Sequence, residues 1–291
     1  MKIYSLGSLN LDFVYKVEHF VQPGETLASQ DRQVFPGGKG LNQSVALARA
    51  GAQVIHGAVL GADGGFLRQV MEDAGVDVSR LSQGTGPSGH AIIQVDKNGQ
   101  NCILLFAGSN HQLTESYLRE FLADGQPGDL LLMQNETNCI AQAFRMAKEK
   151  GMRIAFNPSP FTEQILTLPL ELVDIWFCNE IEGAALCGAE DPEEIGERFR
   201  KRFPEAALVL TLGSEGSLYR DGQGSFRQAR FAVEAVDTTA AGDTFTGFFL
   251  AAVAQGMTVE TALRRASYAA ALAVSRPGAS VSIPTKEEII V

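Results

Sequence analysis

The stretch Val236-Asp237-Thr238-Thr239-Ala240-Ala241-Gly242-Asp243-Thr244-Phe245, with Thr246-Gly247 and a long apolar run behind it, orders the reading of the whole chain. Ala241 and Gly242 carry almost no side chain, so the backbone there can approach a ligand closely. The residues through Ala254 have the pattern of a buried helix that starts at about Gly242. A helix start offers unpaired N–H groups and the positive end of the helix dipole, which together suit a phosphate. Asp243 stands at the same point, and phosphoryl transfer to an alcohol needs such a carboxylate as its base. The competing reading makes Asp243 a first-turn acid that only complements the dipole.

Working outward, 291 residues with 45% hydrophobic and 20% charged side chains suit a globular α/β protein with a sizeable core. Thirty-four acidic against 24 basic side chains, a formal charge of −10, give no basic surface for nucleic acid or an anionic membrane. No signal-peptide core opens the chain and no apolar run is long enough to cross a bilayer, so a cytoplasmic location is expected. Cys102, Cys139, Cys178 and Cys187 form no C-x-x-C pair and sit in apolar surroundings, which predicts buried, reduced thiols.

Residues 2–7 read as a buried strand. The next segment alternates, with Leu9, Leu11, Phe13 and Tyr15 on one face and Asn10 and Asp12 on the other. Gly37-Gly38-Lys39-Gly40-Leu41-Asn42-Gln43 is a second glycine-rich helix start, with Lys39 as a point charge and Asn42 in the first turn; Gly51 closes that helix. Residues 54–59 read as a strand and the segment from Gly61 to about Ala74 as a turn and helix. Two apolar runs, 90–95 and 101–106, flank Asn98-Gly99 and predict a hairpin; His90 is read as a surface residue of it, without a role. From about residue 114 helical and strand patterns alternate, the signature of β-α-β units, with strands ending at Gln134, Phe156, Cys178 and Leu212. Short antiparallel strands are expected over 216–220 and 224–236, then helices over 242–254 and 258–274. Asn179-x-x-Glu182 reads either as a capping box or as part of a ligand site at a strand end.

Asn10-Leu11-Asp12, Gly37-Gly38-Lys39-Gly40-x-Asn42-Gln43, Ala107-Gly108-x-Asn110, Met133-Gln134-x-Glu136, Asn157-Pro158, Asn179-x-x-Glu182, Thr211-Leu212-Gly213-Ser214-x-Gly216 and Asp237-Thr238-x-Ala240-Ala241-Gly242-Asp243-Thr244-Phe245 stand in one order and spacing. In that order they resemble the ribokinase-like (PfkB) family of sugar and nucleoside kinases, along essentially the whole chain. The resemblance implies one kinase domain over 1–291. Its fold would be a three-layer α/β/α sandwich with a mainly parallel central sheet and a small β lid, formed by about 9–37 and 88–109. It implies ATP-dependent phosphorylation of D-ribose at the 5-hydroxyl, with Asp243 as base and the backbone of Ala241, Gly242 and Asp243 as anion hole. Asn10, Asp12, Gly38, Lys39, Asn42 and Glu136 would hold the sugar, with Ala91 and Ile93 as apolar lid contacts. Asn179, Thr211, Gly213, Ser214, Gly216, Gly242 and Ser267 would line the ATP side, and Glu182 would organise Mg²⁺ through water. A K⁺ ion beside the anion hole would be held by Asp237, Thr239, Ala273, Arg276, Gly278 and Ser282, mostly through carbonyls. The partners implied are a small sugar, ATP and a second subunit joined through the lid.

Two positions depart from the wider pattern: Ala240 stands where Gly is common, and Ser267 where a His can line the adenine pocket. The alternatives are a kinase for deoxyribose, another pentose or hexose, or a nucleoside, which would need room for a base near Ala91, Ile93 and Gly108. A sugar-binding regulator without phosphoryl transfer is the remaining one, and the intact Asp243 opposes it.

Overall fold

The computed structural model describes residues 1–291. Its strands are β1 (Ile3–Leu6), β2 (Asn10–Lys16), β3 (Asp31–Gly37), β4 (Val54–Leu60), β5 (Asp77–Gln83), β6 (Gly89–Val95), β7 (Asn101–Phe106), β8 (Leu130–Gln134), β9 (Arg153–Asn157), β10 (Ile175–Asn179), β11 (Ala207–Thr211), β12 (Ser217–Arg220) and β13 (Ser225–Gln228). Its helices are α1 (Lys39–Arg49), α2 (Gly65–Asp73), α3 (Glu115–Phe121), α4 (Ile140–Glu149), α5 (Glu180–Cys187), α6 (Pro192–Arg202), α7 (Ala241–Ala254) and α8 (Val259–Val274).

Nine strands form the central sheet in the order β13-β12-β11-β10-β9-β8-β1-β4-β5, parallel apart from the antiparallel edge of β12 and β13. Both of its faces are covered, as a parallel sheet requires. On β8, Leu130 and Leu132 point into a cluster of 35 buried residues with α1, α2, α7 and α8, while Leu131 and Met133 point into one of 31 with α3 to α6. Two cores of similar size, fed by alternate residues of the same strands, make the three-layer sandwich expected from the alternating pattern.

The second sheet has four strands in the order β3-β2-β6-β7. It stands at the C-terminal ends of the parallel strands because β2 follows β1 after only three residues. No helix of the chain is long and apolar enough to cross a membrane.

Three expectations are corrected. A strand not foreseen, β5, adds in parallel to the sheet edge beside β4; its polar sequence Asp-Val-Ser-Arg-Leu-Ser-Gln has few apolar residues because an edge strand buries little. The strand expected over 224–236 ends at Gln228, and the rest runs on as a loop along a cavity wall. Of the four free cysteines only Cys178 is buried; Cys102 is exposed on β7 and the others are half-buried.

Candidate active site

Helix α7 sets the geometry. Its N-terminal cap is Ala240, in the left-handed conformation at φ 60°, with no side chain capping the helix. Ala241 donates its N–H to the Thr238 carbonyl, but the N–H groups of Gly242 and Asp243 find no acceptor in the chain. Two free donors at the positive end of a 14-residue helix form an anion site. Helix α1 differs. Gly38 precedes it at φ 92°, where an added Cβ would lie 2.8 Å from the Ser8 carbonyl, so only glycine fits. Its first N–H groups are all used: Lys39 donates to Glu136 Oε2 (2.9 Å), Gly40 to Ser8 Oγ (3.3 Å) and Leu41 to the Ser8 carbonyl (3.0 Å). This second helix start serves to place side chains, and only α7 presents free amides.

Asp243 is buried, and both carboxylate oxygens are gripped from α1: Oδ2 by Asn42 Nδ2 at 3.0 Å and Oδ1 by Gln43 Nε2 at 2.9 Å. The Asn42 Oδ1 atom is buried with no partner, a free acceptor beside the carboxylate. Lys39 shares a cavity of about 290 Å³ with Asp243, Glu182, Asn157, Thr211 and Thr238. Burial alone would push the Lys39 ammonium down, but Asp243, Glu136 and Glu182 together outweigh it and hold its pKa above the ordinary value. Glu136 moves upward through burial, in spite of Lys39 and the hydrogen bonds it receives from Ser8 and the Lys39 N–H.

Of the sugar-side residues, only Lys39 and Asp243 line this cavity directly. Asn42 and Glu136 reach them through hydrogen bonds, while Asn10 is fixed by Asn110, whose Nδ2 donates to its Oδ1 at 2.8 Å. Asp12, on the same face of β2 as Asn10, is pushed up to about 7, first by burial and then by the charge of Glu136. In the register of β2 with β6, Ala91 stands beside Asp12 and Ile93 beside Val14, which puts both on that face.

The second cavity, about 430 Å³ and mostly apolar, adjoins the first at the start of α7. Asn179, Thr211, Gly213, Ser214, Gly216, Gly242 and Ser267 all line it, as do Phe231, Val233 and Val274. The Ser267 hydroxyl is buried there without a partner. The two cavities share Asn179, Thr211, Thr238, Ala241 and Gly242, so they meet between the ends of β10 and β11 and the start of α7, at the free amide of Gly242.

Asn179 and Glu182 do form the reciprocal capping box of α5: Glu182 N–H donates to Asn179 Oδ1 at 2.8 Å and Asn179 N–H to Glu182 Oε2 at 3.0 Å. The box fixes Glu182 against the first cavity and leaves its Oε1 unengaged, so cap and ligand site are compatible readings. At the proposed monovalent-ion residues, Asp237 accepts N–H groups from Thr239 (2.9 Å) and Gly278 (3.0 Å) and so ties two loops together. Burial pushes the Asp237 carboxyl up, but these bonds outweigh it and leave it below the usual range. The carbonyls of Asp237, Thr239, Arg276 and Gly278 accept no hydrogen bond from elsewhere in the chain, as a carbonyl-lined cation site needs. Ala273 and Ser282 are less open: the Ala273 carbonyl accepts from Arg276 N–H, and the Ser282 hydroxyl donates to Ala279. No three His, Cys, Asp or Glu side chains cluster as a metal site, so any divalent ion would take most of its ligands from substrate or water.

An anion hole between an apolar-walled cavity and a polar one with a buried carboxylate is a phosphoryl-transfer geometry, and comparison with known proteins gives it a family. The profile of the pfkB family carbohydrate kinases matches residues 1–286. The chain belongs to the pfkB family. It is a kinase of that family, a phosphotransferase. The ribokinase of Haemophilus influenzae is 38% identical, the match covering 98% of this chain and 96% of the relative. Among solved structures, the Arabidopsis thaliana ribokinase, complexed with ribose and ATP, superposes with a TM-score of 0.88 at 28% identity, covering 99% of this chain and 97% of that one. The Thermotoga maritima ribokinase gives 0.87 at 33%, over 99% and 98%.

Within this pfkB fold, sequence reasoning left four side chains without a role: Ser8, Gln43, Gln134 and Asn157. Asn157 lines the first cavity and the other three line neither, and each hydrogen-bonds a residue at least 91 positions away, a pairing no local pattern reveals. The signal available for Gln43, Gln134 and Asn157 was their place inside motifs, the last two at strand ends; Ser8, between β1 and β2, had none.

Proposed function

We propose that the chain transfers the γ-phosphoryl group of ATP to the 5-hydroxyl of D-ribose, releasing ADP and ribose 5-phosphate. The observation that carries this is the pair of free N–H groups at Gly242 and Asp243, set where the two cavities meet and beside a carboxylate aimed by Asn42 and Gln43. The naming of the Haemophilus relative and the ribose and ATP in the Arabidopsis structure favour this substrate pair.

In this reading Asp243 takes the proton as the sugar oxygen attacks the γ-phosphorus, and the bond from phosphorus to the departing ADP oxygen breaks. The Gly242 and Asp243 amides and the Lys39 ammonium meet the charge that spreads over the transferring group. Asn10, Asp12, Gly38, Lys39, Asn42 and Glu136 hold the sugar hydroxyls, with Ala91 and Ile93 closing over them; the Asn42 acceptor is already desolvated and unpaired. The nucleotide lies along Asn179, Thr211, Gly213, Ser214, Gly216 and Gly242, with its base near Ser267. Glu182 fits a hydrated Mg²⁺, which supplies charge neutralisation on the polyphosphate. The carbonyls of Asp237, Thr239, Arg276 and Gly278 fit K⁺, which would stiffen the loop before α7; Ala273 and Ser282 fit it less well.

The small sheet serves as lid and as dimer surface. All six residues of β7 are exposed, including Ile103, Leu104, Leu105 and Phe106 on an edge strand, a pattern that calls for a second copy in the cytoplasm. A coupled ADP-release assay over pentoses, hexoses and nucleosides tests the reaction, with Asp243→Asn as control. Ribose should be turned over best and the variant should lose at least about 100-fold. Turnover of a nucleoside in preference, or an active Asp243→Asn, would overturn the reading.

A further inference from the structure

Gln43 has no exposed surface and lines neither of the two cavities, yet three hydrogen bonds tie it into the site around Asp243. Both protons of its amide nitrogen are committed: one to Asp243 Oδ1 at 2.9 Å, the other to Asn157 Oδ1 at 3.1 Å. Its oxygen accepts from Gln134 Nε2 at 2.7 Å. Asn157 is anchored in turn by donating its own amide to the Phe177 carbonyl at 2.8 Å. Gln134 ends β8, Asn157 ends β9 and Phe177 lies in β10, so three strands of the central sheet converge on one amide of α1, which passes their alignment to α7.

We infer that Gln43 is a positioning residue for phosphoryl transfer: it locks the plane of the Asp243 carboxylate and, as a neutral donor, keeps that carboxylate oriented without pairing its charge. This rests on the reading of Asp243 as base given above. A cation in that place would quench the base, and a hydroxyl could not span to Asn157 as well. Because every member of the chain Gln134, Gln43, Asn157 is an uncharged amide, the aim of the base does not vary with pH. The titratable groups that face Asp243 are Lys39 on α1, Glu136 after β8 and Glu182 on α5, and none of them bonds to Gln43.

Two variants test it. Gln43→Glu has the same shape and keeps the acceptor for Gln134, but puts a second negative charge against Asp243; Gln43→Met keeps only the length. Both should lower kcat about 10- to 100-fold while KM for ribose and ATP stays within about twofold, since the reacting atoms lose alignment and the substrates keep their contacts. The acid limb of the kcat/KM profile should move to higher pH in Gln43→Glu and stay put in Gln43→Met, a split that a merely structural role would not produce. Wild-type kcat and profile in a folded Gln43→Glu would overturn the inference, and so would a rise in KM with kcat unchanged. The Gln43→Glu variant, being isosteric, decides the matter if Gln43→Met fails to fold. If Asp243→Asn is dead while both Gln43 variants behave as wild type, this inference alone falls; if Asp243→Asn is active, the base reading falls with it.

Discussion

Gly247 gives a test of how tightly packing and chemistry are joined. It lies one turn beyond Asp243 on α7, facing Ala46, which lies about one turn beyond Asn42 and Gln43 on α1. A Cβ built at Gly247 would stand 2.4 Å from the Ala46 Cβ and 2.9 Å from the Leu47 nitrogen, both on rigid helix backbone or its first carbon. Ordinary carbon contacts are about 3.5–4.0 Å, so Gly247→Ala must push the two helices apart by roughly 1 Å. The bonds from Asn42 and Gln43 to Asp243, now 3.0 and 2.9 Å, would stretch to nearly 4 Å and cease to be hydrogen bonds.

Two magnitudes follow for Gly247→Ala. Overpacking costs about 1–3 kcal/mol, against roughly 0.5–1 kcal/mol regained in helix propensity, so stability falls modestly. With an unfolding entropy of about 2.1 cal/mol/K per residue over this chain, a net loss of 1–2 kcal/mol lowers Tm by only about 2–3 °C. Activity suffers more, because a base displaced by roughly 1 Å costs on the order of 100-fold in kcat. Calorimetry and the ADP-release assay on the same samples measure both. Gly65→Ala is the control, since a Cβ there meets nothing within 4 Å. A Gly247→Ala protein with wild-type kcat would refute the claim that this helix crossing aims Asp243.

Asp12 ties sugar binding to pH: with its carboxyl pushed up to about 7, ribose measured by calorimetry should bind about tenfold more weakly at pH 6 than at pH 8, and Asp12→Asn should flatten that slope. Its effect on folding has the opposite sign, because the folded pKa lies above the ordinary 3.8; this group favours the folded state most at low pH and loses that contribution as pH rises through about 7. A slope that persists in Asp12→Asn would assign it to another group. Replacing K⁺ by tetramethylammonium should lower kcat several-fold, because the carbonyls around Asp237 admit only a small bare ion; equal turnover in both salts would exclude a monovalent-ion role there. Leu104→Glu on β7 should convert a dimer to a monomer in sedimentation, and a wild-type protein that sediments as a monomer would remove the lid as an interface.

What the sequence revealed and what it hid divide along a physical line. The buried strands β8 to β11 and helices α7 and α8 were legible because each buries an apolar run whose period is set by its own backbone. Strand β5 was hidden because its order comes from pairing with β4, and the segment after Gln228 read as a strand because its apolar residues face a cavity. Similarly, Asn10, Asp12, Asn42 and Asp243 stood out by their motifs, whereas the work of Gln43 and Asn157 exists only once residues some 114 and 200 positions apart have met.

The electrostatics of the first cavity constrain the reaction further. Lys39 is the only basic side chain lining it, beside the carboxylates of Asp243 and Glu182, so the charges lining it sum formally to −1. A triphosphate entering such a site would be repelled by side chains alone, and the free amides of α7 contribute only about half a unit charge. Affinity must therefore come from the second cavity, with its apolar wall and Arg230, and from cations that arrive with the nucleotide. Each cavity has one basic side chain, Lys39 in the first and Arg230 in the second, and the groups that hydrogen-bond Asp243 are the neutral amides of Asn42 and Gln43, which orient it as a proton acceptor.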